Sequence, residues 1–292
     1  LRIDTGLRYD YASFDLDQHL NEATAIRDTK VNFDQFSPKF GFNWDFSEDH
    51  QLYGSYRRGF RAPSASALFV ADASEGSTDL EATTVDSFEL GLRGFITDDI
   101  SYDLTAYTMF KKDDIVTYRD PNTKEEIATN NGETEHRGVE LGINWRANDE
   151  WTLAVSSNYS KHTYEKWELG SAAYFGAPSG TALEGNELDR SPKYMYNIRA
   201  DYHPQWMNGG RFELEVILQG SYYVDVQNTD KYGGQELVNF RVDYPLSEST
   251  TVYARVMNVF DRSHTAYTSG SSSTPFHPGA PRSLFIGCEF NF

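Results

Sequence analysis

The sequence predicts an all-β protein, an antiparallel up-and-down β-barrel that crosses a membrane, and three observations lead to this prediction. Apolar and polar residues alternate along many segments, and the connections between those segments are short and long in turn. Residues 282–292 place apolar side chains at every second position and end on an aromatic residue. Because successive side chains of a strand point to opposite faces, that segment has one apolar and one largely polar face, as the closing strand of an outer-membrane barrel does.

The composition suits a barrel better than a soluble enzyme. The chain has 292 residues, of which 19 are Tyr, 19 are Phe and 5 are Trp, yet its mean hydropathy is only −0.61. An apolar lipid face with aromatic girdles around a polar lumen gives this combination. No stretch of the sequence approaches the roughly 18 apolar residues of a spanning helix. We expect one β-barrel region over residues 1–292.

Charge and cysteine content exclude further classes. The net charge of −18 disfavours a nucleic-acid partner, because phosphate binding requires a basic face. The single cysteine, Cys288, excludes a disulfide framework and a cysteine-based metal site. The seven His residues show no ligand spacing, and no catalytic or nucleotide-binding motif follows a predicted strand. We therefore expect no enzyme, no metal site and no cofactor.

Period-2 alternation predicts twelve strands, an even number as in bacterial single-chain barrels. They lie near residues 1–14, 35–46, 50–60, 84–96, 99–112, 133–147, 150–164, 190–203, 210–225, 235–246, 249–261 and 282–292. In the ninth strand Leu214 and Val216 alternate with Glu213 and Glu215, and a slip of one residue would turn these charges to lipid.

The same parity turns a set of charged and small residues inward: Glu89, Gly91, Arg93, Glu140, Gly142, Asn144, Arg199, Asp201, Arg241 and Asp243. We expect a hydrated, charge-paired wall there, with contact to something that fills the lumen as the alternative. Gly91 and Gly142 would leave room for it.

The lengths of the connections alternate, which is typical of an up-and-down barrel. Short turns are predicted at 47–49, 97–98, 148–149 and 247–248, with a longer one around 209–210. Long loops are predicted at 15–34, 61–83, 113–132, 165–189, 226–234 and 262–281. Acidic residues exceed basic ones in most of these loops, which favours either solubility or bridging through divalent cations to anionic lipid headgroups.

Eight short segments carry a resemblance to a known family. In chain order they are SPK at 37–39, LYGSYRRGFRAP at 52–63, VDSFELGLR at 85–93, HRGVELG at 136–142, GNEL at 185–188, RSPK at 190–193, NVFD at 258–261 and PGAPR at 278–282. Together they resemble the C-terminal half of the barrel of TonB-dependent outer-membrane receptors. Two departures are Leu80 to Thr83, where the family usually has Lys-Pro-Glu, and Val259, where Leu is commoner.

The resemblance implies a 22-stranded barrel whose lumen holds a plug domain. The plug, the box that engages the TonB complex and about ten strands would then lie before Leu1, which itself reads as mid-strand. We accordingly expect a C-terminal fragment of about twelve strands, in the outer membrane of a Gram-negative bacterium. The expected partners are the TonB complex through the absent N-terminal region, the barrel assembly machinery, and outer-membrane lipid and lipopolysaccharide. The residues that resemble the assembly signal are Leu284, Ile286, Phe290 and Phe292.

The function implied by the resemblance is active import of a scarce nutrient, most often a ferric siderophore. Cobalamin, haem and oligosaccharides remain open as substrates. The candidate ligand contacts are aromatic and cationic residues of the long loops: Tyr118, Arg119, Trp167, Tyr174, Phe175, Tyr223, Tyr232, His264, Tyr267 and His277. The alternatives are a complete 12-stranded passive channel, closed by pairing residues 1–14 with 282–292, and a soluble all-β binding module such as a lectin.

Overall fold

The computed structural model describes residues 1–18, 27–68, 80–119, 126–169, 181–268 and 276–291. Nearly all regular structure in these residues is β. The strands, in chain order, are β1 (Arg2–Gln18), β2 (Arg27–Asp45), β3 (His50–Arg61), β4 (Thr83–Thr97), β5 (Ile100–Arg119), β6 (Glu126–Arg146), β7 (Trp151–Lys166), β8 (Glu168–Leu169), β9 (Thr181–Ala182), β10 (Tyr194–Tyr202), β11 (Arg211–Gln219), β12 (Tyr222–Tyr223), β13 (Lys231–Tyr232), β14 (Gln235–Ser247), β15 (Thr250–Met257), β16 (Thr265–Thr268), β17 (Phe276–Pro278) and β18 (Ser283–Phe290). One helical turn, α1 (Ala65–Leu68), and one 3₁₀ turn (Gln205–Met207) interrupt the connections.

The twelve longest strands form one antiparallel sheet in which each strand pairs with the next long strand of the chain. Its order is β1-β2-β3-β4-β5-β6-β7-β10-β11-β14-β15-β18. The short strands form three separate two-stranded ladders within the long connections. The predicted all-β, antiparallel, up-and-down fold of twelve strands is therefore confirmed. No helix in the described part of the chain is long and apolar enough to span a membrane.

The sheet ends at β1 on one side and at β18 on the other. In the described residues no pairing joins these two strands. Each therefore has one edge whose backbone groups face no partner strand, whereas closure of a barrel removes such edges. The pairing of 1–14 with 282–292, on which the passive-channel alternative depends, is absent from the described sheet.

Two hairpins extend further than the sequence indicated. β1 and β2 remain paired up to Gln18 opposite Arg27, and β5 and β6 up to Arg119 opposite Glu126. The predicted loop boundaries 15–34 and 113–132 are therefore wrong. Where both faces of a strand meet water, the alternation that marks the strand in the sequence disappears while its backbone ladder continues.

The two faces of the sheet differ in chemistry, as parity predicted. On one face large apolar side chains are bare: Leu214 is 44%, Tyr159 60% and Ile286 71% exposed. We call this the lipid face. The other face lines an open cavity of about 940 Å³, and the polar side chains of Glu89, Asp103, Glu140, Asn158 and Asn197 lie there beside apolar ones such as Met109. We call it the lumenal face.

The buried apolar side chains cluster beside the long connections rather than along the barrel wall. Phe33, Leu68, Leu80 and Ala128 pack together, with Phe14 partly buried against them. Phe14 and Phe33 meet edge to face with ring centroids 6.0 Å apart. Leu68 of α1 thus packs with residues of β2 and β6, which holds the connection between β3 and β4 against the sheet.

Candidate functional site: the lumenal face and the long connections

Charged residues of the lumenal face pair with one another across strands. Arg57 Nη2 lies 2.8 Å from Glu89 Oε1, and Arg93 donates to Gln51 Oε1 at 2.9 Å. Asn197 and Asn239 both donate to the Glu215 carboxylate, at 2.7 and 2.8 Å. These contacts agree with the polar pairing expected of this wall, and its hydration stays a prediction.

The densest ionic group lies near the tight turns and has Arg211 at its centre. Its guanidinium lies 2.8 Å from Asp243, and 3.3 Å from both Asp201 and Glu213. Arg199 and Arg241 complete the group through Asp201, at 3.0 Å, and Asp243, at 2.8 Å. Three guanidinium groups thus balance three carboxylates, and the side chain of Asp201 is only 6% exposed.

The glycines of the lumenal face differ from each other. A Cβ on Gly91 would collide with the ring of Tyr53, which lies opposite it on β3. The Tyr53 side chain reaches over β4, and its hydroxyl donates to Asp103 on β5 at 2.7 Å. The space at Gly91 is therefore filled by a neighbouring side chain, so the expected room for a lumenal filler is wrong there. A Cβ on Gly142 would meet no atom closer than 4.0 Å, so the space beside Gly142 stays open.

At the end of the sheet with the long connections, three predicted ligand residues lie in two separate aromatic groups. Tyr232 contacts Tyr222 and Phe276, with ring centroids 5.2 and 6.1 Å apart, and its hydroxyl accepts the Thr265 N–H at 3.2 Å. Tyr267 and His277 stack at 4.0 Å between ring centroids in the β16–β17 ladder. We call these two groups, Tyr222–Tyr232–Phe276 and Tyr267–His277, the outer aromatic cluster; the sequence analysis did not select Tyr222 and Phe276.

Other predicted ligand residues are engaged in local packing. The Lys231 ammonium lies 5.2 Å from the ring centroid of Tyr223, and Trp167 meets Tyr164 edge to face at 5.3 Å. His264 Nδ1 lies 3.2 Å from the Arg262 carbonyl oxygen. Tyr118 and Arg119 end β5, but their side chains, together with Tyr174 and Phe175, lie outside the described part. The ligand-contact roles of all these residues stay predictions.

Two of the resembling segments fix the long connections through hydrogen bonds to backbone groups. Asn228 accepts the Glu187 N–H at 2.7 Å and donates to the Glu187 carbonyl at 2.8 Å. Asn186 donates to the Val226 carbonyl at 3.1 Å. Asn258, in the left-handed region at φ 52°, donates to the carbonyls of Arg262 at 2.9 Å and Ala280 at 3.3 Å. The GNEL and NVFD segments therefore hold the connections in place.

A histidine pair that the sequence analysis passed over lies on the lumenal face. His136 on β6 is directly opposite His162 on β7, and their Nδ1 atoms are 2.9 Å apart. Positions 136 and 162 are equally far from residue 149, and this pairing depends on the register of the β6–β7 turn, which the sequence does not fix to one residue. Their neighbours Arg137 and Lys161 are opposite each other and exposed on the other face, so this level lies beyond the apolar band. Burial lowers the pKa of both imidazoles, that of His136 to about 4.

On the closing strand, the three described residues of the proposed assembly signal are bare. Leu284, Ile286 and Phe290 are 64%, 71% and 59% exposed, all on the lipid face. One edge of β18 pairs with β15, for example Leu284 with Val256. Phe292 lies outside the described residues, so its role stays a prediction.

Comparison with known proteins defines the class. The family model described as "TonB dependent receptor-like, beta-barrel" matches residues 1–259, and the chain belongs to this family. It is accordingly an outer-membrane protein of a Gram-negative bacterium, and its relatives are receptors and transporters rather than enzymes.

Individual relatives have low sequence identity to this chain, but the alignments extend over most of it. The probable TonB-dependent siderophore receptor PiuA of Acinetobacter baumannii is 22% identical over 99% of this chain and 38% of its own length. The vitamin B12 transporter BtuB of Vibrio cholerae is 22% identical over 88% of this chain and 36% of its own length. The crystal structure of PiuA superposes on this chain with a TM-score of 0.76 and 19% sequence identity. The superposition covers 99% of this chain and 40% of the PiuA chain. The chain thus spans about two fifths of the relatives that it matches.

Proposed function

We propose that this chain is part of the barrel wall of a TonB-driven importer and that the imported nutrient is a ferric siderophore. The observation that carries the proposal is the family match, combined with a sheet that follows 40% of the PiuA chain and joins charged and polar side chains across strands on one face. In this reading residues 1–292 form one barrel region, which further strands complete at the free edges of β1 and β18.

A plug inside the completed barrel would face the ionic groups of the lumenal wall, above all the group around Arg211. Energy would come from the TonB complex, which would engage a segment outside this chain. Because a plug blocks diffusion, uptake would require energy and would saturate with ligand. An open channel would show neither property.

The nutrient would first meet the outer aromatic cluster. Tyr267, 59% exposed, and His277 present a stacked pair of rings, and aromatic rings with convergent polar groups are typical of ligand sites. Trp167 and the residues at 118, 119, 174 and 175 are further candidates.

The lipid face has its own proposed partner, the phosphate groups of lipopolysaccharide. Arg137 and Lys161 are directly opposite each other, one step beyond Val139 and Tyr159, which are exposed on the same face. Like charges directly opposite are destabilising, and Glu135 approaches Arg137 only at 3.7 Å. An anionic headgroup between the two cations would relieve this repulsion.

The test is uptake by the full-length receptor in cells that lack their own siderophore and its receptors. We expect growth under iron limitation on at least one ferric siderophore, lost when the proton gradient is dissipated. Tyr267→Ala should raise the ligand concentration needed for half-maximal uptake, whereas Tyr159→Ala on the lipid face should not. Cobalamin is the second candidate because of the similarity to BtuB. Growth that depends on cobalamin and on no siderophore would favour it, and uptake that survives loss of the gradient would refute active transport.

A further inference from the structure

The His136–His162 pair has an unusual hydrogen-bond arrangement. Each imidazole uses its Nε2 toward a hydroxyl two residues earlier on its own strand: His136 lies 2.9 Å from Thr134 Oγ1, and His162 lies 3.1 Å from Ser160 Oγ. Both hydroxyl residues are buried. The two Nδ1 atoms face each other at 2.9 Å, so the arrangement is symmetric about the gap between the rings.

Hydrogen bonds from the second ring nitrogen to a nearby oxygen also orient histidines that bind metals. A ligating imidazole usually donates its other N–H to a nearby oxygen, which fixes the tautomer and the ring orientation. When both Nε2–H groups donate to Thr134 and Ser160, both Nδ1 lone pairs point into the same gap. Two lone pairs at that distance repel unless one cation lies between them.

The positions of the rings fit a tetrahedral ion. Two imidazoles bound at about 2.0–2.1 Å to a tetrahedral zinc have nitrogens about 3.3 Å apart and ring centroids about 5.1 Å apart. The centroids of His136 and His162 are 5.0 Å apart. The rings are therefore already at the right separation, and a small tilt of each ring would open the Nδ1 atoms by about 0.4 Å.

The surroundings permit a cation. Lys111 acts electrostatically on His136, but its ammonium is paired with the Asp114 carboxylate, which Arg61 also contacts at 3.3 Å. Met109 lies opposite His136 on β5, so an uncharged thioether faces the same side. The pair is half-buried on the lumenal face, which leaves it accessible from the lumen.

We propose that His136 and His162 form a binding site for a late first-row divalent cation, with Zn²⁺ or Cu²⁺ as the fitting ions, held between their Nδ1 atoms. Imidazole suits both metals. Two coordination positions are left for water or for oxygen and nitrogen atoms of a molecule in the lumen. The ion would tie β6 to β7 at the level where the lumen opens to the outside. This proposal does not depend on the proposed nutrient import, because metal binding is measured at equilibrium, without transport.

Proton positions balance without a net release. In the metal-free neutral pair one ring, for instance His136, donates from Nδ1 to the Nδ1 of the other, and the Thr134 hydroxyl donates to His136 Nε2. On binding, the His136 proton moves from Nδ1 to Nε2, and the Thr134 hydroxyl changes from donor to acceptor. Thr134 and Ser160 then both accept hydrogen bonds.

The test uses the full-length protein, stripped of metal and titrated in detergent with ZnCl₂ and, separately, CuCl₂. We expect one ion per chain, and on the order of a 100-fold loss of affinity in His136→Asn and in His162→Asn, since removal of a ligand exceeds the 10–100-fold cost of removing an outer-shell partner. Thr134→Val should weaken binding about tenfold. The matched control is His50→Asn, because His50 lies near the tight turns, where its Nδ1 contacts the Tyr102 hydroxyl at 3.0 Å.

A spectroscopic measurement keeps the test decisive if a variant folds poorly. Electron paramagnetic resonance of the Cu²⁺-loaded native protein should show coupling to two imidazole nitrogens. Fewer than two coupled nitrogens, unchanged affinity in both His variants, or no binding below millimolar metal would each overturn the proposal. Loss of affinity in His50→Asn equal to that in the pair variants would place the ion elsewhere and overturn it as well.

Discussion

The same strands build two faces by different means. On the lipid face, apolar side chains such as Leu214 and Ile286 stand bare and make few specific contacts. On the lumenal face, side chains such as those of Glu215 and Tyr53 form hydrogen bonds with side chains of other strands. The comparison teaches that the lipid face needs only the right chemical class at each position, whereas the lumenal face needs particular partners.

The largest effect is expected from a charge on the lipid face. Leu214→Arg places a guanidinium in the hydrocarbon and should destabilise the folded full-length barrel by about 2–4 kcal/mol. The control one residue away, Glu215→Gln, keeps an acceptor for Asn197 and Asn239 and should cost less than about 1 kcal/mol. Folded fraction measured by urea titration in lipid vesicles checks both. Equal costs at 214 and 215 would mean that the assigned facing is wrong, as would a spin label at 215 that reports lipid.

The next effect concerns the ionic group at the tight-turn end. Arg211→Met leaves the carboxylates of Asp201 and Asp243 with one cation fewer and should destabilise the protein by roughly 2 kcal/mol, below the 3–5 kcal/mol typical of fully buried pairs. Arg2→Met is the control, because the Arg2–Asp4 pair is exposed and should contribute less than about 1 kcal/mol. The same unfolding titration measures the difference. A cost at position 211 no larger than that at position 2 would contradict the view that lumenal partners are specific.

Glycine positions allow a finer comparison. Gly91→Val should displace the Tyr53 ring and its bond to Asp103, at a cost of about 1–3 kcal/mol. Gly59→Val on β3 meets no atom within 4 Å and should be neutral or slightly stabilising, since Val favours strands. Thermal unfolding in detergent compares the two variants, and a neutral Gly91→Val would show that Tyr53 is not fixed.

The smallest effect on folded stability is expected from deletion of Phe292. Phe292 belongs to the set with Leu284, Ile286 and Phe290 that resembles the signal read by the assembly machinery, so the deletion should lower the amount of receptor in the outer membrane of cells. The unfolding free energy of the purified, refolded protein should change by less than about 0.5 kcal/mol. Normal cellular levels after the deletion would remove the assembly role and leave Phe292 as a girdle residue.

The sequence predicted the parts of the fold that depend on local alternation. The number, order and facing of the strands follow from the period-2 rows, because a slip by one residue would bury charges in lipid. The alternation of tight turns with long connections followed from the same rows. The ends of β1, β2, β5 and β6 could not be read in this way, since above the membrane the alternation stops while pairing continues.

What only the tertiary structure decided are the contacts between strands. Tyr53 and Gly91 are far apart in the chain, and neither residue type by itself predicts that one fills the space left by the other. The pairing of His136 with His162 depends on the register that the turn at 147–150 imposes, so histidines without any ligand spacing in the sequence become neighbours. Alternation is a property of each strand alone, whereas register joins two strands, and this is why the sequence determined the faces and the tertiary structure determined the sites on them.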